Sequence, residues 1–257
     1  ADLITGDSLD ILQGCVQLGA ESQKCYEVLW GVDFERFRPD LKPSVREELG
    51  IAPEAPVVFS PRSFSQPYYN IDVIIAAMAR LQREQDDVVG IFAGYEGDPA
   101  PFEAKARAAG LDSERVRFVG RIPHGRFAEY LVASDVFVSV PSVDATAVSL
   151  LEAMSCGRAI VVSSLASSLE WVEDGVSGRV VAPRDEDALH RVLGELIADP
   201  ALRVRLGERA LARARSRAGF GDNMRRVASL YASLVDGTAI PEHVQALGQL
   251  GPLNSPC

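Results

Sequence analysis

Between residues 56 and 199 the chain alternates short, almost wholly apolar runs with longer segments whose apolar residues recur every three or four positions. The runs PVVFS (56–60), VVGIFAG (88–94), VRFVG (116–120), VFVSV (136–140), AIVVSS (159–164) and GRVVAP (178–183) read as strands. Being apolar on both faces, they belong in a sheet covered on both sides. IDVIIAAMARLQRE (71–84), PFEAKARAAG (101–110), GRFAEYLVAS (125–134) and DEDALHRVLGELIAD (185–199) read as helices, with Gly110 closing the second and Asp185 capping the last. Strands separated by helices in this beat predict an α/β fold, a doubly wound parallel sheet of Rossmann-like form. In such a sheet ligands bind beyond the C-terminal strand ends, which predicts that loops 61–70, 94–100, 120–124 and 141–147 meet.

One segment breaks the pattern. In PSVDATAVSLLEAMSCGRAIVVSS (141–164), Glu152 falls inside a helix that Val148, Leu150, Leu151, Ala153 and Met154 make almost entirely apolar. A carboxylate there costs several kcal/mol, roughly, unless something hydrogen-bonds to it. A ligand rich in hydroxyls, held near the helix start, would supply that partner. Eight residues earlier stands Asp144, whose residue type also suits an ordinary helix cap, with Thr146 close by. The amides of Ala145 to Val148 open the helix and can receive an anion. Arg62, directly after the first buried strand, can grip a diphosphate through two parallel hydrogen bonds. Arg121 and Ile122, in the turn GRIP (120–123), offer a border to a flat base.

Composition narrows the partners. The chain has 257 residues and a formal net charge of −10, from 36 acidic and 26 basic residues, which disfavours nucleic acid as partner. No apolar run approaches the ~20 residues of a membrane span, and no secretory signal is visible. A cytoplasmic location is expected, at most peripheral to the inner face of the membrane. Cys15, Cys25, Cys156 and Cys257 are too dispersed for a disulfide framework, and His124, His190 and His243 are equally scattered. No metal-ligand spacing is present, so no metal is expected. His190 reads as a surface or boundary residue on its helix, whereas His124 follows a strand and turn and can face a cleft.

Together these segments resemble the C-terminal, nucleotide-binding domain of a GT-B fold glycosyltransferase of family four, a group of retaining enzymes. GVDFERFRP (31–39) resembles the interdomain signature, and SPR (60–62) stands where the family has a Gly-Arg pair. VRFVGRIP (116–123) resembles the base-binding strand and turn, residues 141–164 the paired-carboxylate motif, and EWVEDGVSGRVVAPRDEDAL (170–189) its continuation. The similarity runs from near Ala1 to about residue 235.

The resemblance implies a nucleotide-sugar donor, UDP- or GDP-linked, with no separate cofactor. Arg62 would bind its diphosphate, Glu152 its ribose, and the amides near Thr146, Ala147 and Val148 its distal phosphate. Arg121 and Ile122 would border its base, and Asp144 would take the catalytic place of the family's first glutamate, beside the donor sugar. The chain departs from the family in four places: Asp for Glu at 144, Tyr69 at the register of a lysine, Asn70 at that of a glycine, and Ala147 where a glycine is usual.

The resemblance also divides the chain. Residues 1–31 would be a remnant of an N-terminal acceptor domain with its linker, and 32–219 the nucleotide-sugar-binding domain. Residues 220–236 would form a crossover helix, and 237–257 a loose tail with little periodicity. The missing domain, in cis, would bind the acceptor, a sugar, a lipid-linked sugar or a small molecule, so the fragment alone is expected to be inactive. Two other readings stay open: a nucleotide-sugar-binding module without catalysis, and a GT-B sugar-nucleotide epimerase.

Overall fold

Two short strands open the chain, β1 (Ile4–Gly6) and β2 (Cys25–Glu27), paired in parallel with Ile4 opposite Cys25. Helix α1 (Leu9–Gln17) joins them, started by Ser8, whose hydroxyl accepts a hydrogen bond from the Ile11 amide at 3.3 Å. The computed structural model describes residues 2–241, 244 and 246–249. These divide into two compact units, residues 34–216 and residues 1–33 joined by those from 217 onward.

The larger unit follows the predicted alternation: α2 (Val45–Glu48), β3 (Val57–Pro61), α3 (Ile71–Glu84), β4 (Val89–Ala93), α4 (Ala100–Ala108), β5 (Val116–Gly120), α5 (His124–Ala133), β6 (Val136–Ser139), α6 (Val148–Ser155), β7 (Ala159–Ser163), α7 (Ala166–Leu169), β8 (Arg179–Val181), α8 (Glu186–Ala198) and α9 (Pro200–Arg217). The strands form one parallel sheet in the order β5-β4-β3-β6-β7-β8. Every residue of β4, β6 and β7 is buried, as strands covered by helices on both faces require. Asp185 caps α8 as its residue type predicts, accepting from the Ala188 amide at 2.8 Å.

Arg46 ties the start of this unit to the sheet. Its guanidinium donates to Asp135 Oδ2 at 2.9 Å and to the Ala55 carbonyl at 2.8 Å, while the same Asp135 oxygen accepts from the Val57 amide at 2.8 Å. Helix α9 lies hard against the turn after α6. A methyl group added at Gly207 would stand 2.2 Å from the Gly157 carbonyl oxygen. In most helices glycine to alanine stabilises by ~1 kcal/mol. Here the sign reverses: Gly207→Ala is expected to lose ~1–3 kcal/mol through overpacking, read as a lower urea midpoint at unchanged m.

In the smaller unit, helix α10 (Phe220–Asp236) packs with the first 33 residues and ends at Gly237, where φ is 63°. The Val32 amide donates to the Ala218 carbonyl at 2.7 Å, and Asn223 Nδ2 donates to the Trp30 carbonyl at 2.8 Å. A Cβ at Gly31 would meet the Phe220 Cα at 2.4 Å, so glycine is what allows this approach. Within the span expected to be a loose tail, the described residues Val244 and Ala246 are buried with Tyr26 and Leu230. Cys257 and His243 lie outside the described residues, and Cys15, Cys25 and Cys156 are free thiols.

Candidate functional site

The strand order reverses direction between β3 and β6, whose partners include Val58 with Val136 and Phe59 with Phe137. Connections leave toward opposite sides at such a point and open a crevice beyond the strand ends. Arg62 follows β3 directly and Asp144 lies in the loop after β6, so both stand at this switch point. They meet there. Arg62 Nη2 donates to Asp144 Oδ2 at 2.6 Å, and Arg62 Nε donates to Ser139 Oγ at 2.6 Å. Arg62 is only 8% exposed, and its guanidinium carbon lies 5.0 Å from the Tyr69 ring centroid.

This pairing changes the picture of Asp144. The cap of α6 is Ala147, with no side-chain hydrogen bond, so Asp144 does not cap the helix. Its second oxygen accepts from the adjacent Ala145 amide, at 3.1 Å. Thr146 is buried, while Val148 opens the helix exposed. Asn70, at the register of the family's glycine, holds φ at 53°, the left-handed region that glycine and asparagine tolerate best. Its side chain donates to the Val140 carbonyl at 2.9 Å and to Ser142 Oγ at 2.8 Å, and accepts from Arg184 at 2.9 Å. The asparagine therefore does more than a glycine could.

Glu152 is 6% exposed on α6, and no protein group among the described residues hydrogen-bonds its carboxylate. Burial pushes its pKa up to about 7, against a smaller downward pull from Arg36. Arg36 is the functional candidate that sequence reasoning missed. It lies inside the GVDFERFRP signature, with its guanidinium donating to the His124 carbonyl and packed on the Phe37 ring. A surface-type arginine next to a turn carries no local signal of this placement.

Arg62, Arg121, Ile122 and Glu152 line one cavity of about 420 Å³, together with Tyr69 and His124. Four side chains chosen from sequence thus converge, from the loops after β3 and β5 and from α6. His124 lines the cleft, its ring tilted by 45° to that of Phe37 with centroids 6.0 Å apart, whereas His190 is on α8 against Glu84 at 3.1 Å. Asp144, Thr146, Ala147 and Val148 do not line this cavity; α6 contributes Ser149 and Glu152 instead. Among the described residues, no three His, Cys, Asp or Glu side chains converge to hold a metal.

An all-parallel sheet of this order with its ligand crevice at the switch point defines the Rossmann-like class of domain found in GT-B glycosyltransferases. Comparison with known proteins narrows that class. Residues 42–213 match the family of glycosyl transferases group 1, and the chain belongs to it. It is 29% identical over 227 residues to D-inositol 3-phosphate glycosyltransferase 2 of Catenulispora acidiphila, covering 85% of this chain and 52% of that protein. It is 32% identical over 263 residues to the D-inositol 3-phosphate glycosyltransferase of Geodermatophilus obscurus, covering 97% of this chain and 55% of that protein. The chain spans about half the length of these curated relatives. The fold also matches Anabaena HepE, solved in complex with UDP-glucose, at a TM-score of 0.82 and 22% identity, over 91% of this chain and 64% of that one.

Proposed function

We propose that this chain is the donor-binding half of a glycosyltransferase that moves a sugar from a UDP- or GDP-linked donor to an acceptor with retention. One observation carries the reading. Glu152 is a buried carboxylate without a hydrogen-bond donor among the described residues, facing the same cavity as Arg62 and Arg121. A carboxylate can only accept, and two vicinal ribose hydroxyls are donors of matching spacing. The cavity then orders the ligand. Glu152 takes the ribose, Ile122 and Arg121 border the base, and Arg62 takes the diphosphate. Beyond the residues that line the cavity, the amides of Thr146, Ala147 and Val148 at the start of α6 would receive the distal phosphate, where the helix dipole favours negative charge.

In the transfer step the bond from the sugar to the nucleoside diphosphate breaks, and charge grows on the leaving phosphate. Arg62, held in place before that charge develops, stabilises it without reorganising. The acceptor is bound by residues outside this chain, and the relatives' names make an inositol phosphate the first compound to test. A cytoplasmic location suits a nucleotide-sugar donor, and no helix among the described residues is long and apolar enough to cross a membrane. A second reading, a donor-binding module without catalysis, is favoured by the engagement of Asp144 with Arg62.

Titration calorimetry of the 257-residue chain with UDP, GDP and their sugars tests the proposal. Binding of one nucleoside diphosphate with sugar transfer absent is the expected result. Binding of neither would remove the donor site, and sustained transfer by this chain alone would overturn its description as half an enzyme.

A further inference from the structure

Arg62 is held on three sides. Ser139 Oγ receives its Nε at 2.6 Å, Asp144 Oδ2 receives its Nη2 at 2.6 Å, and the Tyr69 ring lies 5.0 Å from the guanidinium carbon. The two oxygens fix the fork in its plane but not against tilting out of it. A ring packed on the guanidinium supplies that constraint, with cation–π attraction added. We infer that Tyr69 is a positioning residue, the floor of a socket that aims Arg62 at the diphosphate. This rests on the donor-binding reading and names a role for a residue that the reading leaves without one.

The ring is itself fixed in advance. Tyr69 ends the 3₁₀ turn Pro67–Tyr69, and the Tyr68 ring meets it edge-on with centroids 4.8 Å apart. The turn is pinned to the loop after β6: the Ser142 amide donates to the Tyr68 carbonyl at 2.8 Å, and Asn70 Nδ2 reaches the Val140 carbonyl and Ser142 Oγ. Left-handed backbone at Asn70 turns the chain from this loop into α3. Ser139, Asp144 and the Tyr69 ring are thus tied to the same β6 loop, so the socket forms as one unit. Burial pushes the Tyr69 phenol up to about 12, so it is neutral at physiological pH. The ring therefore braces Arg62 without adding a charge that would compete with Asp144 or with a phosphate.

The test measures UDP and GDP affinity of the whole chain with Tyr69→Phe, Tyr69→Leu and Tyr69→Met, with thermal melts to check folding. Tyr69→Phe keeps the ring and is expected to bind like the unaltered chain. Tyr69→Leu and Tyr69→Met keep apolar packing and are expected to weaken binding roughly tenfold with an unchanged melt. In an Arg62→Ala background, Tyr69→Leu should cost nothing more, since a positioning residue acts only through the group it positions. The inference falls if Tyr69→Leu binds normally, if Tyr69→Phe is as weak as Tyr69→Leu, or if the Leu and Ala effects simply add. Failure of the underlying reading looks different: the unaltered chain then binds neither UDP nor GDP.

Discussion

Glu152→Gln is expected to make the protein more stable at pH 8 and, in the same variant, weaken its hold on nucleotide. The carboxyl is raised from the ordinary 4.5 to about 7 by burial, so the folded state retains a proton that the unfolded chain has already lost. Stability from this group is full below pH 4.5, falls as the pH rises through 7, and stays reduced above it. Glutamine, neutral and nearly isosteric, removes that penalty, worth ~3 kcal/mol at pH 8. Urea titrations at pH 8 and pH 4.5 check this, with the gain present at the first and absent at the second. Nucleotide affinity should drop by ~1–3 kcal/mol, because an amide accepts the ribose hydroxyls less well than a charged oxygen. Affinity of the unaltered chain should also fall below pH 7, while the glutamine variant stays flat. A variant less stable than its parent at pH 8 would make Glu152 a structural residue. The opposed signs are the mark of a group kept for a ligand at the expense of the fold.

Arg62→Ala is expected to remove ~2–4 kcal/mol of nucleoside diphosphate affinity, the loss of a charge-assisted fork in a partly closed site. It also leaves Asp144 without its guanidinium at 2.6 Å, so a smaller loss of stability of ~1 kcal/mol accompanies it. Arg62→Lys restores the charge but cannot reach Ser139 and Asp144 together from one point, and recovery should be incomplete. Calorimetry with UDP and GDP on the three proteins decides it. Equal affinity of Arg62→Ala and its parent would place the diphosphate elsewhere, with Arg121 the next candidate on the cavity wall.

Much of this site can be read along the chain, and the part that cannot shares one cause. Glu152 is legible because its neighbours on α6 are apolar, so a single charged residue violates a local pattern. Arg62 is legible because its place, one residue past a buried strand, decides which end of the sheet it serves. The salt bridge to Asp144 is not legible, since it joins residues 82 apart and depends on β3 and β6 lying side by side. Asp144 read locally suits a helix cap; across the sheet a guanidinium reaches it first. Arg36 and the Tyr69 ring were hidden for the same reason.

By itself the sequence determined the six strands of the main sheet, most helix limits within one or two residues, and which side chains stand at the C-terminal end of the sheet. Each depends on periodicity or on a residue type beside its own neighbours, which local backbone geometry enforces. Only the tertiary structure decided what Asp144 pairs with, which ring packs on Arg62, and that Val244 and Ala246 are buried with Tyr26 and Leu230. Those outcomes come from side chains far apart in the chain, whose meeting is set by strand order and by which apolar surface is left to cover.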